Sequence, residues 1–555
     1  MAALAVELLP LVAPRQLAQI DQQYILGKFA GLAPTAASLV ITAKEEGYAS
    51  RAVQLLELGR EVITRLRFGT RSDLTVLRLR HPEAAQKFEQ LRYILDFKPQ
   101  LQSKTGNENL NPWGELNPNH GVNLEFDRVV EEIRRLPTFE NFLRPPQPEE
   151  LMAASGGPVI LINVSMFRCD ALLVQKCGIR SLALPNLREE DIKNNVEFIN
   201  SIRSRSIRTL SKSAIDQMFR ILEWLRDAAV SLILNELGFS EPPLNDDWPR
   251  VWWVPTGQLT SLPLHAAGYH RRQSTDTTLD RVISSYISSI KALIYCRSNS
   301  RIAPKFSSDE ALLVSMDRTP GYSDLEYTTG EVDALESLLS NQIKTVKLER
   351  PTKKDVLDHL RKCTIFHFAG HGNSDPLDPS KSALLVSDWE ENSLTVEQLI
   401  GYDFRQTSRS PWLAYLSACS TSDSNIEKLH DESINLATAC QLEGFQHVVG
   451  TLWEVSDKES VDVAKDFYHT IDIGGEVNDR KVSLGVHKAT RRLRDVTMEK
   501  MKLKPLTPPE LEGVASGEGE GARSARRVRP SGYEENSKEE WHNPLFWAAY
   551  VHFGP

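Results

Sequence analysis

The spacing of hydrophobic and polar positions changes character along the chain. From residue 1 to about residue 150 it follows the period of a helix. AASLVITAKEEGYASRAVQLLELGREVITRL divides at Gly47 into two helical segments, and in the second Ala52, Leu55, Leu56, Gly59, Ile63 and Leu66 recur at helical spacing. HPEAAQKFEQLRYILD reads as a further helix. Asn123–Leu136 is amphipathic, with Phe126, Val129, Val130, Ile133 and Leu136 on one face. The region looks like an α-hairpin array of the tetratricopeptide type, although no clean 34-residue period is present; a plain helical region fits the same pattern.

At Gly156 short β-branched runs take over. GPVILINVS, DALLVQ and IRSLAL predict strands, residues 190–237 a long helical stretch, and VWWVPTGQLTSLPLHAAG a strand, turn and loop. A second alternation opens at Ala311. ALLVSM, IKTVKL, TIFHFAGHG, SALLVS, PWLAYLSACST and HVVGTLWEV read as strands. EVDALESLLS, KKDVLDHLRKC, VEQLIGYD, INLATACQLEG, DKESVDVAKDFYHTI and about 482–500 read as helices, with Thr352 and Gly444 as punctuation. NPLFWAAYVHFG supplies a last apolar strand. Strands alternating with helices predict α/β units. The expected division is a helical region at 1–150, one α/β half at 151–300 and a second at 301–555. A flexible insertion is expected at 505–540, whose Gly, Ser, Glu and Arg content cannot bury a core.

Composition narrows the class. Of 555 residues, 41% are hydrophobic and 25% charged, as in a folded soluble protein, and a net charge of −9 gives no support for nucleic-acid binding. The basic cluster Arg523–Arg529 reads as solvated linker. No run of about 18 apolar residues predicts a membrane span, and MAALAVELLPLVAP lacks the basic start of a secretory signal. The six cysteines, at 169, 177, 296, 363, 419 and 440, form no C-x-x-C pair. Structural zinc is therefore not expected, and a reducing, cytoplasmic setting is. Neither a phosphate loop nor a dinucleotide fingerprint occurs, so no cofactor is expected.

Two strand ends carry chemistry. TIFHFAGHG puts His371 between Gly370 and Gly372, and PWLAYLSACST puts Cys419 just past a second strand. Ligands of open parallel sheets bind beyond the carboxyl ends of the strands, and two central parallel strands would bring these loops together. A thiolate nucleophile needs a neighbouring imidazole to take its proton. The Gly372 and Cys419 N–H groups would hold the oxyanion. Cys363, Cys440, His367 and His265 read as structural.

HFAGHG, LSACST, GTLWEVSD and NPLFWAAYVHFG, in that order, resemble the defining motifs of the CHAT family, the caspase-like domains associated with tetratricopeptide repeats. The resemblance covers about 300–553, and more weakly 156–296 through INVS, CDALLV and WWVPTGQLTSLPLHAAG. It implies a caspase-like α/β/α sandwich of the caspase, separase and gingipain clan, preceded by a pseudo-peptidase half. It maps His371 and Cys419 onto a catalytic dyad, Gly372 onto the oxyanion position, and Trp453 and Asp457 near the substrate cleft. The dyad spacing of 48 residues agrees with the caspase pattern of roughly 50. SACST has no arginine after the cysteine, so cleavage after aspartate is not implied.

The expected activity is a cysteine endopeptidase acting on protein substrates, with the helical N-terminal region binding a regulatory protein or restraining the site. The alternative is a non-catalytic scaffold with a degenerate peptidase fold. A small-ligand α/β domain is a third reading, weakened by the missing phosphate loop.

Overall fold

The computed structural model describes all residues except 13–18, 61–74, 98–119, 141, 145–146, 154–155, 204–209, 273, 300–305, 307–308, 376–377, 401–410, 419–434, 443, 476 and 503–542. Every described regular element before residue 159 is a helix. Gly47, at φ 73°, separates the helices Leu32–Ala43 and Tyr48–Gly59, a left-handed conformation that glycine adopts without the Cβ penalty. The helices Pro82–Phe97 and His120–Arg134 close a small core of their own around Phe88, Phe126 and Ile133.

The strands, in chain order, are β1 (Val159–Asn163), β2 (Asp170–Gln175), β3 (Gly178–Ala183), β4 (Arg250–Pro255), β5 (Ile283–Tyr286), β6 (Glu310–Ser315), β7 (Lys344–Glu349), β8 (Ile365–Ala369), β9 (Gly372–Asn373), β10 (Ala383–Leu384), β11 (Leu394–Thr395), β12 (Leu413–Ser417), β13 (His447–Thr451) and β14 (Tyr550–Phe553). Among the described residues, eleven of them form one sheet in the order β3-β2-β1-β4-β5-β14-β13-β12-β8-β6-β7. The two α/β units therefore share a sheet. The joint is β14, which runs antiparallel to β13 and parallel to β5. SALLVS contributes only Ala383–Leu384, and to a separate small sheet with β9 and β11. Of NPLFWAAYVHFG, Pro544–Phe546 forms a 3-10 turn and the strand starts only at Tyr550.

Alternation within the strands explains the layers. Val159 and Leu161, Trp252 and Val254, Phe366 and Phe368 point to one face, into a core shared with the N-terminal helices and the helices Ile290–Asn299 and Leu436–Leu442. Ile160, Ile162, Val251 and Trp253 point to the other, as do Ile365, Ala369 and Tyr415 further along. That face is covered by helices such as Lys212–Leu225, Thr328–Leu339 and Asp457–Ile471. Parallel strands buried on both faces read as nearly continuous apolar runs, which is what these sequences show.

Polar contacts tie the halves together. A buried chain crosses the joint: His447 Nε2 lies 3.1 Å from Asp479, His447 Nδ1 3.1 Å from His552 Nε2, and His552 Nδ1 2.9 Å from Ser285 Oγ. Arg250 Nε then donates to Ser285 Oγ at 3.0 Å. Arg494, on the helix Asp479–Lys502, grips Asp280 with two bonds of 2.7 and 2.9 Å, and this holds the Asp280 carboxyl below the usual range against the opposing effect of burial. The N-terminal helices dock through Glu57. Its carboxylate accepts from the N–H groups of Ile290 and Lys291 at 2.9 and 3.1 Å, capping the helix between the halves.

Candidate active site

The site is built at the carboxyl ends of β8 and β12, neighbours that run parallel with Ala369 opposite Ser417. Past β8 the chain turns at Gly370, whose N–H donates to the Ser417 carbonyl at 3.2 Å. A Cβ on Gly370 would lie 2.8 Å from Met316 Cβ, so this close approach needs a glycine. Ala418 follows directly on β12, its carbonyl accepting from Thr451 Oγ1 at 2.8 Å. The next residue, Cys419, lies outside the described residues, as does the segment 505–540.

His371 is 8% exposed. Its Nε2 sits 2.8 Å from the carbonyl oxygen of Ser323. A carbonyl only accepts, so Nε2 carries the proton and, in the neutral ring, Nδ1 is the basic nitrogen. Ser323 belongs to the loop after β6, which is closed at its base by Leu325 N–H to the Asp317 carbonyl at 2.8 Å. Within it Thr319-Pro320-Gly321-Tyr322 forms a turn, with Tyr322 N–H donating to the Thr319 carbonyl at 3.1 Å and Gly321 at φ 77°. Proline followed by a left-handed glycine is the signature of a type II turn. The Tyr322 ring lies 5.1 Å from the imidazole of His371. Gly372 is half-buried and pairs with Leu384 through β9, while the His371 carbonyl accepts from Leu385 N–H at 3.0 Å.

The remaining sequence candidates separate cleanly. Trp453, expected near the cleft, is buried in the core. It is 1% exposed, and its indole N–H donates to the Leu545 carbonyl at 2.8 Å, because the aromatic ring packs under the segment that leads into β14. Asp457 is half-buried as the first residue of the helix Asp457–Ile471, where a carboxylate suits the helix dipole. His367 is a satisfied sheet histidine. Its Nε2 lies 3.0 Å from Glu331 Oε1, it stacks on Tyr415 with centroids 4.8 Å apart, and Ser417 Oγ donates to the other Glu331 oxygen at 3.4 Å. Cys440 is buried in its helix. Cys363 is buried just beyond the end of its helix, with Sγ 3.4 Å from the Leu360 carbonyl. His265 is enclosed against the Tyr286 hydroxyl at 2.9 Å, and burial pushes its imidazole down to about 3. The sequence reading passed over the Ser323 carbonyl. The Pro-Gly dipeptide before it is a turn signal that could have placed the loop.

Comparison with known proteins decides the family: the CHAT domain model matches residues 220–555. The chain belongs to the CHAT-domain family. Its fold is an α/β/α sandwich built on one shared sheet, with an N-terminal region that is all helical among the described residues. Solved structures similar to this CHAT-domain protein include separase in the Saccharomyces cerevisiae separase–securin complex, at 12% identity and a TM-score of 0.44, covering 98% of this chain and 38% of that one. The Arg-specific cysteine proteinase gingipain R is similar at 12% identity and a TM-score of 0.35, covering 66% and 74%. The Porphyromonas gingivalis RgpB pro- and mature-domain complex follows at 12% identity and a TM-score of 0.33, covering 66% and 76%. The chain thus spans well under half the length of the separase chain. No curated protein matches it in sequence. Among the described residues no helix is long and apolar enough to cross a membrane.

Proposed function

We propose that this CHAT-domain protein is a cysteine endopeptidase that cuts protein substrates, with Cys419 as nucleophile and His371 as its proton-transfer partner. The observation that carries the reading is the fixed tautomer of His371 beside the end of the strand that leads into Cys419. With Nε2–H committed to the Ser323 carbonyl, Nδ1 takes the proton of the thiol. The thiolate attacks the scissile carbonyl carbon, and the oxyanion is held by the N–H groups of Gly372 and Cys419. Collapse breaks the C–N bond, and the leaving amine takes the proton from Nδ1. A thioester remains. Water, losing a proton to Nδ1, attacks it and frees the carboxylic acid and the thiol.

The units act as a helical region at 1–150, a pseudo-peptidase half at 151–300 and the peptidase half at 301–555. The N-terminal region restrains the peptidase half or receives a regulatory protein. The Glu57 cap on the helix Ile290–Asn299 supports that role, since it joins the N-terminal helices to the segment between the halves. A reducing compartment such as the cytoplasm suits a nucleophilic thiol.

The test is a peptide-library cleavage assay. Cys419→Ala and His371→Ala lose cleavage with a melting temperature close to the parent's, while Cys363→Ala and Cys440→Ala lose stability more than turnover. Cleavage by Cys419→Ala at the parent rate contradicts the proposal.

A further inference from the structure

The imidazole of His371 is held by a backbone carbonyl, and the structure shows what holds that carbonyl. Ser323 follows directly on the turn Thr319–Tyr322. Trp389, from the segment after β10, donates its indole N–H to the Pro320 carbonyl at 2.9 Å. The Trp389 ring also meets Tyr322 edge-on, with centroids 5.5 Å apart and planes at 77°. Tyr322 in turn lies against His371. Two routes therefore run from Trp389 to the imidazole, one through the turn backbone to the Ser323 carbonyl and one through the Tyr322 ring.

Trp389 itself stands on a tied platform. Its N–H donates to the Val386 carbonyl at 3.2 Å, and its carbonyl accepts from Ser393 Oγ at 2.6 Å. The neighbouring Asp388 carboxylate accepts from Lys353 N–H at 2.7 Å, at the start of the helix Lys353–Leu360. On the other side, Tyr322 is 37% exposed. A solvated loop would not by itself fix a carbonyl, and an imidazole bonded to a wandering carbonyl samples both tautomers.

We propose that Trp389 is a positioning residue: through the Pro320–Tyr322 turn it fixes the Ser323 carbonyl and so keeps His371 in the Nε2–H tautomer with Nδ1 basic. The consequence for catalysis rests on the peptidase reading above; the consequence for the imidazole does not. Trp389 acts on His371 through the turn and takes no proton.

The experiment uses the full chain with ¹⁵N-labelled histidine, the His371 signals being assigned by their absence in His371→Gln. At a pH where the ring is neutral, long-range ¹H–¹⁵N spectra report which nitrogen carries the proton. The parent shows His371 as the Nε2–H form. Trp389→Phe keeps a ring but removes the donor. Gly321→Ala leaves Trp389 intact and strains the turn at its left-handed φ; its added Cβ would have no neighbour nearer than 3.8 Å. Both variants shift His371 to a mixture of tautomers. Where the parent cleaves peptide, both lower kcat by roughly tenfold, part of the 10²–10⁴ typical of a general acid–base, with KM within about twofold. An Nδ1–H form in the parent, or an unchanged Nε2–H form in both variants, overturns the proposal. If Trp389→Phe does not fold, Gly321→Ala decides by the same spectra. A parent without cleavage but with the tautomer shift upholds the positioning role and counts against the peptidase reading alone.

Discussion

Acidification destabilises this fold through histidines that are buried neutral. His265 sits against the Tyr286 hydroxyl, His270 bonds the Ala266 carbonyl at 2.7 Å beside Trp547, and His487 packs on Trp248 with centroids 4.8 Å apart. Burial pushes each imidazole down from the usual 6.5 to about 3. In the unfolded chain each takes up a proton near 6.5; in the folded chain it does not. Their contribution is therefore intact above about pH 6.5 and is lost as pH falls toward 3, at about 1.4 kcal/mol per pH unit for each ring. From about pH 7 to about pH 5.5 the loss is roughly 1.3 kcal/mol per histidine, or about 4 kcal/mol for the three. His447 and His552, also lowered by burial, add in the same direction. Glu57 opposes them, because burial raises its carboxyl above 4.5 and folding then favours the protonated form as pH falls. The assay is urea unfolding of Cys419→Ala, so that self-cleavage cannot intrude, at the two pH values. His487→Phe recovers about 1.3 kcal/mol of the pH-dependent loss, since one titrating ring is gone. Equal stability at the two pH values, or folded-state imidazole signals for these rings that titrate near 6.5, would refute the reasoning.

Other outcomes follow from single contacts. Glu331→Ala strands His367 Nε2 and Ser417 Oγ in the core and lowers stability by about 2–4 kcal/mol, while Glu331→Gln keeps an acceptor and loses less; thermal melts of the two variants distinguish them. Glu57→Ala uncaps the helix Ile290–Asn299 at a cost of about 1–3 kcal/mol, and amide exchange should quicken at Ile290 and Lys291 before it does so elsewhere in the sheet. Exchange unchanged at those two amides would remove the cap from the account.

Most of the sheet was legible because its central strands are buried on both faces: TIFHFA, PWLAYLS and HVVGTL each read as an apolar run, and each is a strand. His371 could be placed at a strand end for the same reason. Strand order was not legible. Nothing local in YVHF says that it pairs with β5 and β13, nor that it joins two units into one sheet. SALLVS looked like its neighbours, yet only two of its residues find a partner strand. Trp453 was placed near the cleft by the resemblance alone; the residues that bury it arrive from about 90 positions later in the chain. The Ser323 carbonyl belongs to the backbone, so no side-chain pattern could mark it; its turn could be read, its partner could not.

The central claim is that Cys419 is a nucleophile served by His371. Its most direct measurement is labelling of the reduced protein by a peptide-linked thiol electrophile, mapped by mass spectrometry and timed in the parent and in His371→Ala. The account predicts that Cys419 labels well ahead of exposed Cys177, and that His371→Ala slows Cys419 alone by at least about tenfold. Labelling of Cys419 no faster than Cys177, or a rate indifferent to His371, would contradict it and favour a scaffold built on a silent peptidase fold.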